Sequence, residues 1–214
     1  SVSYLFYPKV AKALADFCPT AKIVMVLREP IARGFSHYLM DNRIGLVDHS
    51  FDDIVRSEGK APYQLFYQQY IQLGLYHEQV ARYLKFFPKE KVKIYLFDEL
   101  RENTENVVTD LLEFLEVNTS FSIETKHYNT YTQPKNSAIG ALYKSKLLRK
   151  SISALIPTNI ASAIKEQIFT KARKPIMNED IKQKLKIFYQ DDIKKLEQLI
   201  EKDLSTWYDG HCHV

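Results

Sequence analysis

Arg28 and Ser36 are the side chains whose chemistry is easiest to name. A guanidinium is permanently charged and presents planar donors that match a phosphate or carboxylate, and a serine hydroxyl within reach adds a neutral donor to the same anion. Together they describe a phosphate site. The plainer alternative is that Arg28 pairs with its neighbour Glu29 and Ser36 is an ordinary helix-surface residue. Asp98 and Glu99 close a second apolar run and have the chemistry of a general base or a metal ligand, although acids there also serve to cap the helix read over residues 104–115. His37 and His49 titrate near neutral pH, the range that proton transfer uses, yet a lone histidine is more often a packed or surface group.

Positioning these groups takes a strand, a turn and a helix. Residues 23–27, IVMVL, are continuously apolar and rich in β-branched side chains, the pattern of a strand covered on both faces in a parallel sheet. Arg28 then stands at the carboxyl end, where open α/β sheets bind ligands. Pro30 suits the first turn of a helix, and Ile31, Phe35, Tyr38 and Leu39 recur at helical spacing. Residues 92–97 read as a second buried strand. Before each strand lies an amphipathic helix, over 10–17 and over 78–87, and Pro88 stops the second. Residues 41–58 read as a lid or acceptor-facing insertion with a short helix around Phe51, Ile54 and Val55. Further on, 142–172 is amphipathic and basic, and a last helix carries Ile181, Leu185, Phe188, Ile193, Leu196 and Ile200. Without repeats or low-complexity linkers, residues 1–214 read as a single domain.

The segment LREPIARGFSHY resembles the 3′-phosphate-binding segment of sulfotransferases that use 3′-phosphoadenosine 5′-phosphosulfate (PAPS). The likeness continues through Gly74-Leu75-Tyr76 with Gln79, the helix ending at Phe87-Pro88 and the strand VKIYLFDEL, and it covers most of the chain up to about residue 115. The resemblance implies an α/β fold of P-loop-NTPase-like type, three layers α/β/α around a central parallel sheet. It implies sulfuryl transfer from PAPS to a hydroxyl or amine of an acceptor, most simply a carbohydrate, with no metal. Arg28 and Ser36 match the positions that hold the 3′-phosphate, and Tyr76 and His37 are assigned to the acceptor side. Asn129, Pro134, Lys135, Asn136 and Ser137 resemble the family's late basic loop over the nucleotide, so Lys135, Asn136 and Ser137 join the cofactor-binding set; Lys135 keeps the charge of the usual Arg but loses its fork.

In that family a phosphate-binding loop, an acidic catalytic base and a Lys precede the segment that Ser1 to Tyr7, SVSYLFY, resembles. With 6 Gly in the chain, no Gly-rich phosphate cradle occurs in it, so the catalytic residues are expected in a segment upstream of Ser1. Two alternatives stay open: a non-catalytic anion- or nucleotide-binding module of the same fold, and a P-loop nucleotide kinase, which needs a Lys-Ser/Thr loop and Mg²⁺.

Bulk properties restrict the partners. A formal charge of +4 and a pI near 8.8 suit an anionic nucleotide and do not demand nucleic acid. No apolar run reaches the roughly 18 residues of a membrane span. Cys18 and Cys212 lack metal-ligand spacing and read as free thiols of a reducing compartment. A cytoplasmic location is favoured on this basis, with the Golgi lumen reserved for a chain that has lost an upstream anchor.

Overall fold

The apolar run around which the sequence is organised forms half of a parallel strand pair. The computed structural model describes residues 2–118, 131–135 and 169–208. In chain order, α1 (Val2–Phe6) and α2 (Pro8–Phe17) lead into β1 (Ile23–Leu27), which is followed by α3 (Pro30–Arg43). Pro8 supplies the first residue of α2 and starts the helix earlier than its apolar periodicity does. Then come α4 (Phe51–Arg56), α5 (Gln64–Tyr70), a 3-10 turn (Gln72–Gly74) and α6 (Tyr76–Phe86). β2 (Val92–Leu96) lies parallel to β1 with Ile23 opposite Val92 and Leu27 opposite Leu96. α7 (Phe97–Glu102) and α8 (Thr104–Leu115) follow. A short antiparallel pair, β3 (Thr132–Pro134) and β4 (Phe169–Lys171), precedes α9 (Glu179–Ile200) and α10 (Ser205–Tyr208).

One expectation about β1 does not hold among the described residues. Ile23, Met25 and Leu27 are 8%, 7% and 2% exposed and join the helical core, whereas Val24 and Val26 on the other face are 39% and 50% exposed. The described helices cover the first face alone, and the burial alternates with the pleat.

The core beneath the carboxyl end of β1 comes from α3, α6 and α9. Ile181, Leu185, Tyr189, Ile193 and Leu196 make a stripe along α9 that faces α6, and burying each such side chain contributes about 1.5–3 kcal/mol. Tyr189, not Phe188, completes the stripe. Its ring is buried because its hydroxyl donates to the Ile71 carbonyl at 2.7 Å, while Phe188 stays 39% exposed.

Two glycines let these elements approach. A Cβ on Gly34 would lie 2.2 Å from the Tyr70 carbonyl oxygen, so α3 and the end of α5 touch backbone to backbone there. Arg33 fastens the same contact by donating to the Tyr70 carbonyl at 2.6 Å and the Gln69 carbonyl at 3.3 Å. A Cβ on Gly74 would meet the Tyr189 hydroxyl at 2.9 Å and Pro30 at 3.0 Å, which brings the 3-10 turn against the start of α3. Among the described residues no helix is long and apolar enough to cross a membrane. Cys18 is a free, half-buried thiol, and Cys212 lies outside the described residues.

Candidate functional site

The site begins where β1 gives way to α3. Pro30 opens the helix, and Glu29 caps it: the buried carboxylate accepts from the Ile31 N–H at 2.9 Å and the Ala32 N–H at 2.5 Å. The amides that a helix N-terminus would otherwise offer to a phosphate are thus filled by the protein's own anion. An anion arriving here must be held by side chains.

Two cations stand ready to hold it. The half-buried Arg28 guanidinium stacks over the Phe97 ring, 4.8 Å from its centroid, so the first residue of α7 serves as its platform. Burial lowers the pKa of Arg28, while Glu29, Asp98 and Tyr76 pull it back. Lys174, on the segment between β4 and α9, brings the second charge: its ammonium lies 5.9 Å from the Phe35 centroid. Burial lowers its pKa most, the neighbouring Arg28 charge lowers it further, and Glu29 opposes them. An added anion relieves that repulsion. Ser36 is half-buried on α3, about 9 Å along the axis from Pro30, with the small Ala32 one turn before it.

Tyr76 lies directly under this site. Its ring is 3% exposed, and its hydroxyl donates to the Arg28 carbonyl at 3.0 Å. Burial pushes the phenol up to about 12, so it remains a neutral donor. In this arrangement the side chain fixes the backbone of Arg28. At its other end, the Tyr76 N–H donates to Asp192 of α9 at 2.7 Å, and the His77 N–H donates to the same carboxylate at 3.2 Å. A carboxylate from α9 thereby caps α6 in place of a local residue.

His37 packs toward Asp41 and Tyr70. Its Nε2 lies 3.5 Å from Asp41 Oδ2, which also accepts the Tyr70 hydroxyl at 2.9 Å, and its ring meets the Tyr70 ring edge to face at 5.3 Å. Burial lowers the His37 pKa despite the Asp41 carboxylate. His49 is wedged against Tyr63 at 4.8 Å and Phe66 at 5.6 Å, a packing role. Asp98 and Glu99 lie inside α7 and not before α8: Glu99 accepts the Leu96 N–H at 2.8 Å and pairs with Lys202 at 2.7 Å, and Asp98 pairs with Arg101 at 3.3 Å. They hold β2, α7 and the end of α9 together. Among the described residues no cluster of His, Cys, Asp and Glu could hold a metal ion.

The late basic segment is described only in part. Lys135 is exposed just past β3, and the antiparallel register sets Pro134 opposite Phe169 and Thr132 opposite Lys171. The register sets Lys135 past the end of the pair opposite to Lys171. Asn136 and Ser137 lie outside the described residues. The cation that joins Arg28 is Lys174, which sequence reasoning passed over as a break between helices. A signal was present: Lys171, Arg173 and Lys174 crowd immediately before Pro175.

A family model described as "Sulfotransferase domain" matches residues 5–199. The crystal structure of a sulfotransferase from Alicyclobacillus acidocaldarius superposes with a TM-score of 0.64 at 30% identity, over 97% of this chain and 65% of that one. The bifunctional heparan sulfate N-deacetylase/N-sulfotransferase 3 of Homo sapiens is 24% identical over 216 residues, covering 97% of this chain and 23% of its own length. The corresponding protein of Drosophila melanogaster is 27% identical over 122 residues, 55% of this chain and 12% of that protein. The chain thus spans less than a quarter of the curated relatives it matches.

Proposed function

Because this chain belongs to the sulfotransferase domain family, an α/β fold with a parallel sheet, we propose that it takes part in sulfuryl transfer from PAPS to a hydroxyl or amine of a glycan acceptor. The observation that carries the reading is the approach of Lys174 to Arg28 at the carboxyl end of β1, where Glu29 already occupies the helix amides. Such a site fits the 3′-phosphate of the donor, since two half-buried cations and a hydroxyl answer a dianion. PAPS, when bound, supplies an activated sulfuryl group whose leaving group is a phosphate.

The residues of this chain do the positioning. Arg28 and Lys174 bind the 3′-phosphate, Ser36 adds a neutral donor, and Phe97 and Tyr76 keep the guanidinium and its backbone in place. Firm placement of the nucleotide is itself a large part of catalysis, because it turns an encounter between donor and acceptor into a reaction within one complex. The glycan acceptor is supported by the likeness to heparan sulfate N-deacetylase/N-sulfotransferases, and residues 1–214 are read as one domain in line with the extent of the family match.

The test is a calorimetric titration of the chain with adenosine 3′,5′-bisphosphate and with AMP. A marked preference for the bisphosphate is expected. Equal, feeble binding of both withdraws the assignment of the 3′-phosphate site.

A further inference from the structure

α6 starts without a cap of its own. Leu75 stands at the N-cap and offers no side-chain acceptor, so the first amides of the helix are orphans that the adjoining sequence does not fill. Asp192, 116 residues further along the chain and near the middle of α9, takes two of them. A single oxygen, Oδ2, accepts the Tyr76 N–H at 2.7 Å and the His77 N–H at 3.2 Å. Burial pushes this half-buried carboxyl's pKa up, and the two amides pull it back.

Tyr76 is the first residue of α6, so the cap that fixes the start of the helix also fixes the root of this side chain. Its buried ring packs edge to face on Trp207, 6.4 Å between centroids, and the hydroxyl at its far end donates to the Arg28 carbonyl. That carbonyl belongs to the first residue past β1, beyond the last ladder pair of Leu27 with Leu96. α9 reaches the same arginine by a second route. Lys202, just beyond the helix, pairs with Glu99 at 2.7 Å, and Glu99 accepts the Leu96 N–H at the start of α7, whose first residue Phe97 lies under the guanidinium.

One attachment to α9 thus steadies the backbone of Arg28 and the other steadies the ring beneath its head. We propose that Asp192 is a positioning residue of the anion site: by capping α6 it sets the Tyr76 hydroxyl against the Arg28 carbonyl and so aims the guanidinium. An arginine loses rotamer freedom when it binds an anion, and a fixed root under a stacked head reduces that loss. That the guanidinium then holds a 3′-phosphate rests on the sulfotransfer reading; that Asp192 sets its position does not.

The test reads the Arg28 side chain directly. In ¹⁵N NMR of the chain, the Nε–H signal of Arg28, assigned by its disappearance in Arg28→Lys, is shifted by the Phe97 ring. Asp192→Ala is expected to move that signal toward the position of an exposed arginine and to lower affinity for adenosine 3′,5′-bisphosphate about tenfold, with AMP unaffected. Asp192→Asn should restore both readouts, because one neutral oxygen can accept the same two N–H groups. Tyr76→Phe should reproduce the loss, and in that background Asp192→Ala should cost nothing further. Ser50→Ala, which deletes the cap of α4, lowers stability in a comparable way and is expected to move neither readout. Where Asp192→Ala does not fold, Asp192→Glu, with its carboxylate one methylene out of place, is expected to move the signal in the same sense. An Arg28 signal that stays put in these variants, or losses that multiply when Asp192→Ala and Tyr76→Phe are combined, overturns the proposal. Failure of the unaltered chain to distinguish the bisphosphate from AMP withdraws the sulfotransfer reading, and the Arg28 signal still decides the role of Asp192.

Discussion

Tyr76 has a cationic neighbourhood at its hydroxyl and an anionic one at its amide. On one side Arg28 and Lys174 crowd a single carboxylate that already serves as a helix cap. On the other, Asp192 is joined by Glu78 and Asp191. The two regions share one rigid strut, since the same residue donates to the Arg28 carbonyl and to Asp192. The cationic side is built from half-buried side chains at a strand end and on the segment before α9, whereas much of the acidic side is exposed. Burial strengthens each charge in the first region, and solvent softens them in the second.

The comparison can be broken at four points. Arg28→Ala is expected to reduce affinity for adenosine 3′,5′-bisphosphate by about two orders of magnitude, the loss of a charge-assisted pair, measured by calorimetry. AMP binding should change little. Gly34→Ala strikes the common scaffold: a Cβ 2.2 Å from the Tyr70 oxygen forces α3 and α5 apart, and denaturant unfolding should show a loss of about 3 kcal/mol with both regions weakened together. Asp192→Ala removes the carboxylate that caps α6, at a cost of about 1 kcal/mol by the same measurement, and should loosen the acidic side first. Gln, which is neutral at every pH, probes the smallest effect at His37. Burial holds the His37 pKa below 6.5 in the folded chain, so its contribution is intact above 6.5 and is lost as pH falls through 6.5 toward the folded value. His37→Gln should flatten that part of the stability profile and leave nucleotide binding unchanged.

The part of the molecule legible in the sequence is the part whose causes are local. The apolar run at β1, Pro30 at the start of α3, Pro88 after α6 and the 104–115 helix are each fixed by neighbours in the chain. So is Arg28, which follows from the strand it ends. Lys174 was not legible, because nothing near it in the chain points to Arg28. It sits before Pro175 without periodicity, and the turn of the chain through β4 brings it there. The acids after β2 misled for the opposite reason. Asp98 and Glu99 stand at a functional edge by sequence, but β2 ends at Leu96, one residue earlier than the strand was read to end, and Glu99 turns back to cap α7. Tyr76 was found, but its position in the chain says nothing about where its hydroxyl goes. Phe188 and Tyr189 were interchanged because one apolar ring fits a helical stripe as well as another until a buried hydroxyl finds the Ile71 carbonyl.

Glu29 gives the proposed nucleotide site a consequence for ion selectivity. A fixed negative charge next to two cations leaves a monovalent anion such as chloride little to gain, because the field it meets is already partly neutralised from within. A dianion couples twice as strongly to the same field and can bridge both cations. The mouth of β1 should act as a valence filter, open in chloride and contested by sulfate or phosphate at equal ionic strength.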